Sequence, residues 1–158
     1  MTVTQCTYVR NASIFDIKAD AIVNPVNTKG ICGAGLALEF KKRYPDNYEL
    51  YKKACQDGIC AIGKCYLTKA NTNVQYIINF PTKDDWRDKS DLKYIQDGMD
   101  SLIVLIDLYK IQSIALPMLG CGLGGLNHKD VLDIVVSKLW NKRGIDFSVC
   151  IGSDAMHH

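Results

Sequence analysis

The residues in this chain best placed for chemistry are two glycine-rich loops and one lysine. Gly30-Ile31-Cys32-Gly33-Ala34-Gly35 follows the apolar run Ala21-Ile22-Val23-Asn24, and Gly120-Cys121-Gly122-Leu123-Gly124-Gly125 follows Ser113-Ile114-Ala115-Leu116-Pro117. Glycine has no Cβ, so it accepts positive φ and lets backbone N–H groups approach an anion closely. Each loop runs toward a helical segment, whose free N–H groups and dipole favour negative charge. Two such loops from distant parts of one chain suggest a clamp around a diphosphate, and hence a nucleotide-derived ligand. Lys83 comes directly after Ile77-Ile78-Asn79-Phe80-Pro81-Thr82, past a strand. A lysine there can be desolvated, lose part of its basicity and attack a sugar C1″ or assist its cleavage. The ordinary alternative is a solvated surface lysine.

Other candidates are open to two readings. The first loop follows neither GxGxxG nor a P-loop ending, which argues against dehydrogenase and ATPase chemistry. Asp16 and Asp20 precede the second strand, as acceptors for an adenine amino group or as solvated turn carboxylates. Asn24 and Asn27 flank Pro25, as amide partners for ribose hydroxyls or as turn formers. Trp86 can stack on a base or cap the core. His128 reads as a first-turn helix residue, too isolated for a metal triad or a Ser-His-Asp site, so no metal is expected.

These residues need elements to hold them. Strand patterns fall at Gln5–Arg10, Asp20–Pro25, Lys64–Thr68, Tyr76–Phe80, Ser113–Pro117 and Asp146–Ile151. Helical patterns fall at Gly35–Tyr44, a stretch after an Asp46 cap, Asp91–Tyr109, and His128–Asn141 after an Asn127 cap. The alternation predicts an α/β fold with a mostly parallel sheet covered by helices on both faces, and ligands at the carboxyl ends of the strands.

The bulk properties are those of one globular domain: 158 residues, 47% hydrophobic, 23% charged. A net charge of +2 does not by itself imply a nucleic-acid partner. Lys41-Lys42-Arg43 with Lys52-Lys53 reads as a solvated helix face able to guide a polyanion. The seven cysteines show no zinc or disulfide spacing; Cys6, Cys65, Cys121 and Cys150 read as buried thiols, and a reducing cytoplasm is expected. No signal-peptide region or membrane-length apolar run is present, and His157-His158 reads as the start of a purification tag.

The chain resembles a macrodomain, the three-layer α/β/α fold that binds ADP-ribose, over residues 1–152, leaving 153–158 as a tail. The resemblance rests on Asp16-Ile17, on Ala21-Ile22-Val23-Asn24-Pro25-Val26-Asn27, on Gly30–Gly35 running into Leu36, and on Pro117–Leu126. The runs IINFPTKDDWR and KGICGAGLALEFKKRYPDNYELYK are similar to the branch found in DarG-type antitoxins. Those proteins remove ADP-ribose from thymidine in DNA.

The resemblance implies that Asp16 holds the adenine amino group with Ile17 beside it, and that Asn27 lies near the distal ribose. It implies that Gly33, Ala34, Gly35 and Leu36 embrace that ribose and the diphosphate. Pro117, Gly120, Cys121, Gly122, Leu123 and Gly124 would form the second phosphate loop, and Lys83 would be catalytic. The related glutamate-directed hydrolases carry an aspartate where this chain has Gly124 or Gly125; the branch's Met-Gly-Lys-Gly is here Cys32-Gly33-Ala34-Gly35.

The expected function is therefore a metal-independent and cofactor-free ADP-ribosyl hydrolase acting on ADP-ribosylated single-stranded DNA. It would be a cytoplasmic monomer opposing a DarT-type toxin, present as an excised domain or a stand-alone enzyme. A non-catalytic ADP-ribose reader and an ADP-ribose 1″-phosphate phosphatase are the alternatives.

Overall fold

Strand β2 (Ala21–Asn27) is buried along its whole length, and its side chains alternate between two cores. Ala21 and Val23 pack with Ile78 and Phe80 of strand β4 (Tyr76–Lys83) beneath helices α3 (Leu92–Tyr109) and α4 (His128–Lys142). Ile22 faces the opposite side, against Phe40 of helix α1 (Gly35–Arg43). Val26 faces that side too, against Tyr51 and Ala54 of helix α2 (Pro45–Gln56). Burial on both faces is why these strands read as continuous apolar runs. The remaining strands are β1 (Gln5–Arg10), β3 (Tyr66–Lys69), β5 (Ser113–Leu116) and β6 (Asp146–Ile151).

This computed structural model describes residues 2–151, so the tail at 153–158 lies outside the described residues. The six strands run in the order β1-β6-β5-β2-β4-β3, all parallel except β3, which pairs antiparallel with β4. With helices on both faces, the architecture is the expected three-layer α/β/α sandwich with a mixed sheet. Among the described residues no helix is long and apolar enough to cross a membrane.

Strands β2 and β5 diverge in the middle of the sheet. Strands β2 and β5 are neighbours, but β2 leads to α1 on one face and β5 leads to α4 on the other. Their ladder stops at Ile22–Ala115, so the strands part toward their carboxyl ends. Such a switch point opens a crevice at the sheet edge.

Several boundaries differ from the sequence expectation. Pro25 does not end β2, which continues to Asn27 paired with Lys83. The ladder to β5 has already ended there, so a residue without an N–H is tolerated on the open side. Lys83 is accordingly the last residue of β4 rather than the residue past it. Asp46 does not cap α2: Pro45 occupies the first helical turn and Tyr44 is the cap residue, leaving Asp46 within that turn. β3 starts at Tyr66 because Ala61–Lys64 closes a turn, Lys64 N–H donating to Ala61 O at 2.8 Å. A short 3-10 turn, Ile14–Asp16, precedes β2 and is capped by Ser13.

The two long helices follow their periodicity. Ile95, Met99, Leu102 and Ile106 bury one face of α3, and the Asp91 carboxylate accepts from Lys93 N–H at its start. All seven cysteines are free thiols. Cys121 and Cys150 are buried as expected, whereas Cys6 and Cys65 are only half-buried. Cys6 lies on the edge strand β1, most of whose residues are exposed.

Candidate functional site

The crevice between β2 and β5 is a cleft of about 290 Å³. Its floor is Pro25, Val26 and Asn27 from β2 with Thr82 and Lys83 from β4. One wall is Ile31, Cys32, Gly33 and Ala34 with Ala37 of α1; the other is Gly120, Leu123 and Gly124, and Trp86 stands at the lip. Asn27, Gly33, Ala34, Lys83, Gly120, Leu123 and Gly124 are thus brought together from three distant segments as the sequence suggested. Asp16, Ile17, Gly35, Leu36, Pro117, Cys121 and Gly122 are not in the lining. Ile17 and Leu36 nevertheless pack against one cluster with Phe15 and Phe40, which puts exposed Asp16 beside the start of α1.

The first loop is held from below and open above. Asn27 Oδ1 accepts from Lys29 N–H at 2.9 Å, Ile31 N–H at 3.4 Å and the Tyr51 hydroxyl at 3.1 Å, and Asn27 Nδ2 donates to Ile31 O at 2.7 Å. The Tyr48 hydroxyl donates to Gly30 O at 3.1 Å. Most of the Asn27 amide is therefore engaged in fixing the loop, and Asn27 acts here as a positioning residue. Above it, a Cβ at Gly33 would meet nothing within 4 Å, so this glycine faces open cleft. The α1 cap residue, Ala34, has no side chain that could close the helix start. The first-turn N–H groups and the positive end of the helix dipole therefore point at the cleft.

The second loop is packed tight. A Cβ at Gly124 would lie 2.5 Å from Gly120 O, and one at Gly120 would lie 2.8 Å from Ser90 Oγ. Gly120 also has φ +74°, a left-handed conformation that favours glycine. Ser90 clips the loop to the end of β4: its N–H donates to Gly124 O at 2.9 Å and its hydroxyl donates to Thr82 O. The helix after this loop is closed, because the Asn127 side chain accepts from Lys129 and Asp130 N–H at 2.9 and 3.2 Å. Of the helices that follow the two loops, α1 starts without a side-chain cap, whereas Asn127 caps α4 as its position predicts, which corrects the reading of a free helix start after both loops.

Lys83 ends β4 between the two loops, half-buried. Desolvation lowers its pKa from the ordinary lysine value of 10.5, and Lys89 acts in the same direction against the opposing fields of Asp88 and Asp85. The nearby carboxylates have other partners. Asp84 pairs with Lys29 at 3.9 Å and with the Thr28 hydroxyl. Asp85 takes the Arg87 guanidinium fork at 3.0 Å on both oxygens, which holds its carboxyl down at about 2.

Other candidates have structural roles. Asp20 Oδ2 accepts from Gln112 and Ser113 N–H, tying β2 to β5. Asn24 is buried and donates to Asn79 Oδ1 at 3.1 Å, in a network with Asn47 and Thr68 beneath α2. His128 starts α4. The basic helix face is solvated, with Arg43 paired to Glu39 and Lys53 to Asp57. Among the described residues no group of three or more His, Cys, Asp or Glu could hold a metal ion.

Sequence reasoning missed Val26, Ile31, Cys32, Ala37 and Thr82 in the lining, and Ser90 behind it. Extending β2 and β4 by the strand period would have found Val26 and Thr82. Cys32 is buried beneath the first loop, and burial pushes its thiol up to about 11.

Comparison with known proteins then decides the family. Residues 23–135 match the Macro domain model. The chain belongs to the macro domain family. It is 39% identical over 136 residues to the DNA ADP-ribosyl glycohydrolase of Thermus aquaticus, covering 85% of this chain and 38% of that protein. The match to the macrodomain of Mycobacterium tuberculosis DarG has a TM-score of 0.91 at 38% identity, covering 94% of this chain and 99% of that one. Thermosipho africanus DarTG in complex with ADP-ribose superposes with a TM-score of 0.86 at 29% identity, covering 92% of this chain and 41% of that one. This macrodomain thus spans under two-fifths of the length of the Thermus relative.

Proposed function

We propose that this macrodomain binds ADP-ribose in the cleft and hydrolyses its bond to thymidine in single-stranded DNA, opposing a DarT-type toxin. The observation that carries the reading is Lys83, desolvated at the end of β4 between an open helix start and a tight glycine loop. The diphosphate lies against the N–H groups of the first loop and α1 and against Gly120–Gly124. Asp16 receives the adenine amino group at the far end, beside Ile17 and Leu36. The distal ribose then reaches Lys83. The DarTG complex with ADP-ribose supports this ligand, and the name of the Thermus relative supports DNA as the carrier. The seven free thiols support a reducing compartment such as the cytoplasm.

The second loop carries no acid partner to Lys83, and its backbone disfavours one at Gly124 and Gly125. A side chain at Gly124 would collide with Gly120 O, and Gly125 has φ +78°. Lys83 therefore works without a neighbouring carboxylate in that loop. Its neutral Nζ attacks C1″ as the bond from C1″ to the base breaks and its electron pair leaves with the base. The proton released from Nζ goes to the departing base. Water then adds its oxygen to C1″ as the C1″–Nζ bond breaks, and the proton it loses passes to Nζ, freeing ADP-ribose with a C1″ hydroxyl and returning the neutral lysine. Holding C1″ and Nζ in line supplies much of the rate, roughly 7–11 kcal/mol in favourable cases.

The pH dependence tests the nucleophile. The reactive form is the free amine, so kcat should rise with pH and level off around an apparent pKa below 10.5. A kcat that falls over the same range would make Lys83 a proton donor. Phosphate release from ADP-ribose 1″-phosphate faster than ADP-ribose release from modified DNA would assign the cleft to a phosphatase instead. Binding without either release would make it a reader.

A further inference from the structure

We infer that Trp86 is a stacking platform for the base that leaves, so that it selects nucleobase-linked over other ADP-ribosyl substrates. The inference rests on the reading of Lys83 given above, because the leaving group must sit on the side of Lys83 that faces out of the cleft. Trp86 lines the cleft and is 52% exposed, an uncommon placement for an indole whose one ring partner is the neighbouring Arg87.

The turn that carries it is built to hold still. Arg87 N–H and its guanidinium both bond Asp85, and Asp85 N–H donates to Asp88 Oδ2 at 3.3 Å. The same guanidinium lies 5.5 Å from the indole ring centre, occupying the ring from one side. Exposed Ile31 and Leu123 complete an apolar lip with Trp86 around the mouth of the cleft. A flat, weakly polar leaving group fits between such surfaces. An acyl chain from a glutamate side chain offers no ring to stack. Trp140, equally exposed at 51%, lies on α4 away from the cleft lining and serves as an internal control.

The test uses binding as well as turnover. In a Lys83→Ala background, which holds substrate without cleaving it, affinities are measured for free ADP-ribose and for an oligonucleotide carrying one ADP-ribosylated thymidine. Adding Trp86→Ala should weaken the oligonucleotide about 10-fold, the scale of one lost base–aromatic stack. It should leave ADP-ribose within about twofold, and Trp86→Phe should restore most of the loss. Trp140→Ala should change neither. Equal losses for both ligands, or no loss for the oligonucleotide, would overturn the platform. Turnover by the protein with Lys83 intact is scored separately: its absence would remove the hydrolase reading while the binding comparison still decides the role of Trp86.

Discussion

The two glycine loops face one cleft but use glycine for opposite reasons. In Gly30–Gly35 the glycine that matters, Gly33, leaves space: nothing lies within 4 Å of where its Cβ would be. The loop's shape comes from Asn27, Tyr48 and Tyr51 beneath it. In Gly120–Gly125 glycine permits contact: Gly124 approaches Gly120 O so closely that even a methyl group would collide. The first loop leads into a helix whose start is open, the second into a helix closed by Asn127. The same residue type therefore marks access in one loop and packing in the other. On the proposed function, a free helix end meets the diphosphate on one side and a rigid backbone wall on the other.

The contrast can be broken by substitution. The largest effect is expected from Gly124→Ala. Its Cβ must displace backbone rather than a flexible side chain. It should cost about 1–3 kcal/mol of stability, visible as a lowered Tm, and also weaken ADP-ribose. Gly122→Glu adds a negative charge to the second loop, outside the lining but between Gly120 and the lining residues Leu123 and Gly124. Calorimetry should show ADP-ribose affinity reduced about 10-fold or more at nearly unchanged Tm. Unchanged affinity would move the phosphates away from this loop. Gly33→Ala should have the smallest effect, within about 0.5 kcal/mol in stability. A Gly33→Ala variant as unstable as Gly124→Ala would erase the distinction between the loops.

How much of this was legible in the sequence follows from the range of the interactions. Helices α3 and α4 were readable because each buries one face, and that face repeats along the chain as Ile95-Met99-Leu102-Ile106 or Val131-Val135-Leu139. The Asn127 cap was readable because capping is local, whereas Asp91, read as the first residue of its helix, is the cap of α3. Pro25 misled because its tolerance depends on where the neighbouring strand β5 stops, which β2 does not encode. The early ends given to β2 and β4 then hid Val26 and Thr82. Ser90 was invisible for a similar reason: it matters only because folding brings it against Gly124 and Thr82. The loops and Lys83 stood out because glycine clustering and a charged residue after an apolar run survive without tertiary information. Which loop leaves space and which packs against its own backbone did not.

The central claim is that Lys83 converts an ADP-ribose cleft into a hydrolase. The direct measurement is ADP-ribose release from a single-stranded oligonucleotide carrying one ADP-ribosylated thymidine, at saturating enzyme, for the native chain and for Lys83→Ala, with ADP-ribose affinity measured on both. The account predicts release by the native chain, a loss of roughly 1,000-fold or more in Lys83→Ala for want of its nucleophile, and ADP-ribose affinities within a few-fold of each other. Release by Lys83→Ala at the native rate would contradict it, as would a loss explained entirely by weaker binding.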